Sequence, residues 1–261
     1  MKLIIFTDLH YYAGDRETAI FGKAKKLTQY APSMLEQLVE KVNHEYKPDA
    51  VLNLGDSIQD ANDHDADVIS LKKVAEKVKE FACPYYMVLG NHDLKMFDSH
   101  REAAEIFGVE GFNFTVELGG YRLVFVTHEV RPELGTTGGG ITKTHTMGES
   151  TVAWLKNELK TSKLPCLIFT HYAIHHEKPN AIPLDREQVL AAIHESGNVR
   201  AVFSGHTHVA ETVEQEGIVN YILGSPTADL TVCGTPDAVY YEVDIEGDDI
   251  TVKEHLFEVR E

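Results

Sequence analysis

Short apolar runs alternate along the chain with longer segments in which apolar residues recur at helical spacing. Five of the runs have the length and composition of buried β-strands, namely residues 2–6, 50–54, 85–89, 166–170 and 199–204. Helical spacing is clearest near Ser33, Val68 and Val152. Ser33 and Glu36 have the spacing of a capping box, which predicts that the first helix has its N-cap at Ser33. The alternation predicts an α/β protein whose helices cover a sheet.

The pattern changes after residue 208, where consecutive strand-like runs replace the alternation. These runs cover residues 209–215, 218–223, 238–245 and 250–257. Another pair, at residues 112–117 and 121–127, flanks Gly119-Gly120, and this arrangement indicates a β-hairpin. Alternating strands and helices followed by consecutive strands favour two packed sheets with helices outside. The length suits one domain over residues 1–261.

The composition is that of a globular protein, because 43% of the 261 residues are hydrophobic. No apolar run reaches the roughly 18–20 residues that span a bilayer. The first run stops at Thr7, short of the roughly 7–15 apolar residues in the core of a signal peptide. Three widely spaced cysteines, Cys83, Cys166 and Cys233, offer no disulfide framework and no Cys-x-x-Cys pair. We therefore expect a reduced cytoplasmic protein with no membrane association.

The formal net charge is -17 at pH 7, from 41 acidic and 24 basic residues. Most of such a surface would repel a polyanion, so a nucleic-acid polymer is a disfavoured partner. A locally positive metal site would still attract a small phosphate ester. The sequence leaves the oligomeric state open.

Aspartate, asparagine and histidine follow the five buried strands one after another. One such residue at a strand end is common, but five such ends in succession indicate a shared site at one edge of the sheet. The residues are Asp8, His10, Asp56, Asn91, His92, Asp93, His171, His206 and His208.

These residue types suit metal binding. Carboxylate and imidazole groups bind manganese, iron or zinc, and no thiolate is offered to a softer metal. Asp8 and His10, like His206 and His208, are separated by one residue, so both members of a pair point the same way on an extended chain. A single carboxylate can bridge two ions about 3.5–4 Å apart. Each pair can therefore reach a common metal centre.

The order Asp-x-His, Gly-Asp, Gly-Asn-His-Asp, His, Gly-His-x-His resembles the calcineurin-like metallophosphoesterase superfamily, and in particular its bacterial small-phosphodiesterase branch. The elements run from Asp8 to His208. This resemblance implies a four-layer α-β-β-α sandwich of two mixed β-sheets flanked by helices. It also implies two divalent metal ions (Mn, Fe or Zn) and a hydrolase acting on phosphoester bonds.

The resemblance also implies a role for each residue. Asp56 would bridge the two ions, and His92 would face the phosphate and the leaving group, with Asp93 fixing its orientation. Hydroxide bridging the ions would attack phosphorus in line, and His92 as imidazolium would stabilise or protonate the leaving group. One ion would be held by Asp8, His10 and His208, and the other by Asn91, His171 and His206.

Several functions share this core. A phosphodiesterase acting on small diesters, such as cyclic nucleotides or glycerophosphodiesters, is the first hypothesis. A phosphomonoesterase or nucleotide pyrophosphatase is the alternative. A binding scaffold is disfavoured because every ligand position is retained, and a DNA nuclease subunit is disfavoured by the charge and the lack of a basic stripe.

Other residues near the motifs carry weaker expectations. His175 and His176 rival His171 as the ligand, and His171 is preferred because it directly follows a strand. Gln59 stands where purple acid phosphatases place a tyrosine, so a ferric–tyrosinate centre is not expected. Asp60 is expected to be a solvated loop residue.

The loops that would select the substrate carry no recognisable code. They are expected at residues 11–30, 57–66, 94–100, 128–148 and 172–184. The glycine-rich run at 135–140 lies in one of them, flanked by Arg131 and Lys143. Solvated charge is the preferred interpretation of both residues, and contact with a substrate phosphate is the alternative. His128 ends a predicted strand and is a candidate to border the pocket.

Overall fold

Two large β-sheets and a small third sheet organise the chain. The computed structural model describes residues 1–14, 19–21, 24–129, 145–177 and 181–260. The strands are β1 (Lys2–Phe6), β2 (Ala19–Phe21), β3 (Ala24–Lys26), β4 (Ala50–Asn53), β5 (Tyr85–Met87), β6 (Phe114–Leu118), β7 (Tyr121–Val126), β8 (Cys166–Thr170), β9 (Val199–Ser204), β10 (Glu211–Gln215), β11 (Ile218–Ile222), β12 (Ala228–Asp229), β13 (Val239–Glu246) and β14 (Asp249–Leu256). The α-helices are α1 (Ala31–Lys41), α2 (His64–Val78), α3 (Asn91–Leu94), α4 (His100–Phe107), α5 (Glu149–Thr161) and α6 (Arg186–Ser196).

Both large sheets combine parallel strands with antiparallel ones, which lie at one edge of the first sheet and at both edges of the second. The first has the order β14-β13-β1-β4-β5, and the second has the order β10-β11-β9-β8-β7-β6. In the first sheet β1, β4 and β5 are parallel, and in the second β7, β8, β9 and β11 are parallel. The remaining pairs are antiparallel. The carboxyl ends of the parallel strands therefore share one edge within each sheet, where the predicted site residues follow.

Alternate residues of β1 show how the layers pack. Leu3 and Ile5 belong to an apolar cluster between the two large sheets, whereas Ile4 and Phe6 belong to a cluster under α1, α2 and α4. A third cluster fills the space between the outer face of the second sheet and helices α5 and α6. The order helix, sheet, sheet, helix confirms the predicted four-layer sandwich. None of the described helices combines the length and apolarity needed to cross a membrane.

The start of the first helix differs from the prediction. Helix α1 begins at Ala31 and carries Pro32 in its first turn, where a missing N–H breaks no helical hydrogen bond. Ser33 lies inside the helix, and its hydroxyl accepts a hydrogen bond from Nε2 of Gln37 over 3.2 Å. The capping box predicted from Ser33 and Glu36 is therefore wrong, because the proline and the preceding 3₁₀ turn at Thr28–Tyr30 set the start.

The strand predictions hold, with small shifts at the ends. The hairpin between β6 and β7 turns at Gly119 and Gly120, with φ of 58° and 83°, which only glycine adopts readily. Helices α3, α4 and α6 and the small sheet β12-β3-β2 were not predicted. This small sheet lies against the site through β3, as described below.

Candidate metal centre

Backbone hydrogen bonds lock together the segments that follow the parallel strands. In the first sheet the N–H of Asp8 donates to the carbonyl of Gly55 over 2.9 Å, and the N–H of His10 donates to that of Asp56 over 3.0 Å. The N–H of His206, which follows a strand of the second sheet, donates to Oδ2 of Asp8 over 2.9 Å. The carboxyl ends of the two sheets are therefore fixed to each other at this site.

Left-handed backbone conformation is concentrated at the predicted ligands. Ten non-glycine residues of the described chain have positive φ, and five of them are predicted ligands. Such conformations cost of order 1–3 kcal/mol each and persist where the surrounding structure enforces them. The site thus holds these side chains in place at the expense of local stability. The five are Asp8, His10, Asp56, His206 and His208, with φ of 53°, 50°, 51°, 69° and 63°.

A first cluster of donor atoms is formed by Asp8, His10, Asp56 and His208, whose donor atoms all lie within 4.8 Å of one another. Nε2 of His10 lies 3.1 Å from Nε2 of His208, which lies 3.2 Å from Oδ1 of Asp8. His208 is partly exposed, and the other three residues are buried. Two imidazole nitrogens and two carboxylates thus surround one point at the edge of the sheets.

A second cluster is formed by Asp56, His171 and His206, again within 4.8 Å. Nε2 of His171 lies 3.5 Å from Oδ2 of Asp56 and 3.2 Å from Nδ1 of His206. Oδ1 of Asn91 lies 3.3 Å from the same His171 nitrogen. The structure therefore brings all seven predicted ligands together, and Asp56 belongs to both clusters.

The donor atoms fit divalent metal ions. Oδ2 of Asp8 accepts hydrogen bonds from the Thr7 hydroxyl and the His206 N–H, whereas its buried Oδ1 makes no hydrogen bond of acceptable geometry with the described residues. Nδ1–H of His171 donates to the carbonyl of Leu54 over 2.8 Å, so that Nε2 faces the cluster. A carboxylate oxygen without a hydrogen bond and an imidazole oriented through its Nδ1–H are suitable ligands for manganese, iron or zinc.

The charges of the site perturb one another. Burial disfavours ionisation of Asp56, but the neighbouring His171 and His92 outweigh it and hold the pKa of Asp56 well below its usual value. Burial also opposes protonation of His171, yet the Asp56 carboxylate raises its pKa to about 9. Burial lowers the pKa of His10 and of His206 well below the usual value. These two rings are therefore neutral at pH 7, the form that binds metals.

His92 lies beside the shared carboxylate, with Nε2 3.9 Å from Oδ2 of Asp56. Its Nδ1 contacts Oδ2 of Asp60, and Oδ1 of Asp60 accepts a hydrogen bond from Nζ of Lys95 over 2.7 Å. Asp60 is only 2% exposed, so the expectation of a solvated loop residue is wrong. Burial would raise the pKa of Asp60, but His92 and Lys95 lower it to about 2. An ionised Asp60 thus orients the His92 ring.

The Asp93 carboxylate binds backbone N–H groups. Its carboxylate accepts hydrogen bonds from the N–H of Ile58 over 3.1 Å and from the N–H of Gly90 over 2.9 Å. These bonds fix the turn that carries Asn91 and His92. The carboxylate of Asp93 faces backbone N–H groups, while Asp60 contacts the His92 ring. An effect of Asp93 on the orientation of His92, through this turn, stays a prediction. Burial and the nearby Asp56 raise the pKa of Asp93 to about 7.

Lys26 is a site residue that sequence reasoning missed. It is 3% exposed, and its Nζ lies 2.9 Å from Nε2 of His92 and 3.4 Å from Nδ1 of His10. Burial lowers the pKa of Lys26 to about 8, against the opposing effect of Asp56. Burial together with Lys26 lowers the pKa of His92, which disfavours the expected imidazolium. The three-residue strand β3 carries no motif that points to a site.

Tyr172 and His145 form a wall beside the second cluster. The hydroxyl of Tyr172 donates to Oδ1 of Asn91 over 3.1 Å. The His145 ring stacks on Tyr172 with centroids 4.3 Å apart and lies 6.0 Å from the His206 ring. Burial lowers the pKa of His145 to about 4, so the ring is neutral at pH 7. No motif surrounds His145, whereas Tyr172 directly follows a predicted ligand.

Four histidines are candidates for ligands or for residues bordering the pocket, and their positions differ. His171 enters a donor cluster, whereas His175 and His176 enter neither cluster of the described chain. The His128 ring is buried and packs edge-on against Tyr172 with centroids 4.9 Å apart. His128 therefore lies behind the wall of the site.

The segments expected to select the substrate are partly outside the described residues. Arg131, Lys143 and the glycine-rich run at 135–140 all lie outside them. The described parts of these segments supply several residues around the two clusters, namely Lys26, Asp60, Lys95, His145 and Tyr172.

Comparison with known proteins agrees with this geometry. A family model described as calcineurin-like phosphoesterase matches residues 1–210. That span contains every predicted ligand, from Asp8 to His208, together with His92 and Asp93. No match was found among curated proteins.

Solved structures share the fold at low sequence identity. A dimetal phosphatase from Danio rerio has a TM-score of 0.74 and 17% identity, over 97% of this chain and 95% of its own. A protein from Thermus thermophilus has a TM-score of 0.59 and 14% identity, over 97% of each chain. GAP50, the anchor in the inner membrane complex of Plasmodium, has a TM-score of 0.55 and 12% identity, over 100% of this chain and 89% of its own. At these identities the likeness shows the fold.

Proposed function

The chain belongs to the calcineurin-like phosphoesterase family and is a metal-dependent phosphoesterase, and on that premise we propose that it hydrolyses small phosphodiesters such as cyclic nucleotides or glycerophosphodiesters. The observation that carries the proposal is that Asp56 belongs to both donor clusters, so that one carboxylate can serve two ions. We propose manganese, iron or zinc as the ions, because the donors are carboxylate, imidazole and amide groups.

In this proposal each cluster holds one ion. Asp8, His10 and His208 would hold the first, Asn91, His171 and His206 would hold the second, and Asp56 would be a ligand of both. When bound, the two ions supply the Lewis acidity that activates water and the positive charge that neutralises the reacting phosphoryl group.

The chain's own residues orient the leaving group. His92 presents Nε2 to the site because Asp60 contacts its Nδ1. Burial and Lys26 lower the pKa of the His92 ring in the free protein, and the Asp60 carboxylate opposes them. The negative charge of a bound substrate would favour the doubly protonated ring. In that form Nε2–H of His92 donates to the leaving oxygen, a contribution of roughly 10²–10⁴-fold in rate.

The charge and the cysteines support two further parts of the proposal. A net charge of -17 favours a small ester over a nucleic-acid polymer as substrate. Cys83, Cys166 and Cys233 are all free, which supports a reducing cytoplasmic location.

A phosphomonoester or a nucleotide pyrophosphate is the second candidate substrate. The specific observation in its favour is Lys26, whose buried ammonium group lies 2.9 Å from Nε2 of His92. A third cation beside two metal ions matches the additional negative charge of a terminal phosphate.

The experiment is a metal-supplemented comparison of bis(p-nitrophenyl) phosphate with p-nitrophenyl phosphate, followed by a panel of cyclic nucleotides, glycerophosphodiesters and nucleotide pyrophosphates. We expect the diester to give the larger kcat/KM. His92→Ala should retain both ions and lose rate. A larger kcat/KM for the monoester would select the second candidate, and no hydrolysis of any ester with both ions bound would contradict the proposed function.

A further inference from the structure

We propose that Lys26 binds the substrate, with its ammonium group donating a hydrogen bond to an oxygen of the phosphoryl group held at the metal centre. This inference rests on the proposed function. It assigns Lys26 a direct contact with substrate and makes the site more sensitive to phosphate charge than two metal ions alone would make it.

The position of the ammonium group is the first argument. Nζ of Lys26 contacts two functional residues of the site, 2.9 Å from Nε2 of His92 and 3.4 Å from Nδ1 of His10. His92 is the residue proposed to meet the leaving group, and His10 is a proposed ligand. A phosphoryl group bound between them would come within hydrogen-bonding reach of the same ammonium group.

The way Lys26 is anchored is the second argument. Strand β3 pairs with β12, with Lys26 opposite Ala228, and the next residue donates its N–H to the carbonyl of Thr227 over 2.8 Å. The hydroxyl of Ser225, two residues before Thr227, donates to the carbonyl of Asp8 over 2.8 Å. The backbone that carries Lys26 is therefore tied to the backbone that carries a predicted ligand.

The charge balance is the third argument. Lys26 is 3% exposed, and a buried cation is costly unless anions compensate it. With two divalent ions in place, Asp8 and Asp56 are more than neutralised. Asp60 is already paired with Lys95 through a 2.7 Å contact. An anionic phosphate is then the group that compensates Lys26.

The expected effect follows from the kind of bond removed. A hydrogen bond to a charged group corresponds to roughly a 10- to 100-fold change in binding. Because the ammonium group interacts with charge, its loss should reduce kcat/KM for a phosphomonoester dianion more than for a diester monoanion. A purely structural lysine would affect both substrates equally.

The test compares Lys26→Met, Lys26→Arg and the matched control Lys25→Met in the metal-loaded protein. Lys25 is the adjacent residue of β3, and its side chain alternates to the other face of the strand. Binding of inorganic phosphate is measured by calorimetry, alongside metal content, melting temperature and kinetics on both nitrophenyl esters. We expect about 10- to 100-fold weaker phosphate binding for Lys26→Met, substantial recovery in Lys26→Arg, and wild-type binding in Lys25→Met.

The possible outcomes separate this inference from the proposed function. Unchanged phosphate binding by Lys26→Met with both ions present would overturn the role of Lys26 and leave the proposed function standing. Loss of metal ions from Lys26→Met would make Lys26 a structural part of the centre and would also overturn the inference. Failure of the metal-loaded wild-type protein to hydrolyse either nitrophenyl ester would contradict the proposed function itself, and the inference with it. Failure to bind phosphate in a wild-type protein that hydrolyses these esters would overturn the inference alone.

Discussion

Replacement of Asp60 by asparagine is expected to destabilise the metal-free protein at pH 7. The folded structure lowers the pKa of Asp60 from 3.8 to about 2, because His92 and Lys95 favour the ionised carboxylate despite its burial. At about 1.4 kcal/mol for each tenfold change in an ionisation constant, this corresponds to about 2 kcal/mol. The substitution should lower the free energy of unfolding by about that amount.

The pKa of Asp60 also determines how the difference in the free energy of unfolding depends on pH. A carboxyl group with a lower pKa in the folded state stabilises the fold above its unfolded pKa of 3.8, and the contribution is lost as the pH falls through about 2. The gap between wild type and Asp60→Asn should therefore be present at pH 7 and narrow below about pH 4.

The difference in the free energy of unfolding is measured by urea unfolding, followed by the fluorescence of Trp154. The measurement runs from pH 7 to pH 3 in the presence of a chelator. Asp98→Asn is the matched control, because Asp98 is exposed and lies in a nearby loop. Equal stability of Asp60→Asn and wild type at pH 7 would refute the reasoning. A gap that stays the same from pH 5 to pH 3 would refute it as well.

Two further substitutions test how the ligands are positioned. Gly90→Ala would place a Cβ 2.1 Å from Oδ1 of Asp56, so the carboxylate must move. The value of kcat/KM should then fall by about 100-fold. Gly111→Ala is the control and should retain activity, because its Cβ would meet nothing within 4 Å. Tyr172→Phe removes the 3.1 Å hydrogen bond to Oδ1 of Asn91 and should weaken binding of one ion by about 10- to 100-fold, measured by metal titration. Wild-type kinetics in the first case, or equal metal affinity in the second, would contradict these roles.

The residues that could be predicted from the sequence are those at the ends of buried parallel strands. Asp8, Asp56 and His171 follow runs of apolar residues whose ends share an edge, so the runs and the polar residue types that follow them are enough to locate these residues. The sandwich follows from the same pattern, because apolar residues on both faces of a strand require a layer on each side.

The residues that could not be predicted reach the site through other geometry. Lys26 lies on a three-residue strand that pairs with residues some 200 positions away. A segment this short shows no repeating pattern of apolar residues from which a strand could be predicted. Asp60 and Asp93 are both aspartates in polar turns, and only the directions of their side chains show which one contacts His92. Such directions depend on tertiary contacts that are not encoded in local spacing.

The most direct test of the account is the number of metal ions bound per chain in wild type and in Asp56→Asn. The measurement is elemental analysis of protein reconstituted with manganese, iron or zinc and then freed of excess ion. We predict two ions per wild-type chain, and loss of both metal binding and activity in Asp56→Asn, because Asp56 is common to both clusters. One ion or none in the wild type, or full activity in metal-free Asp56→Asn, would contradict a centre built around a shared carboxylate.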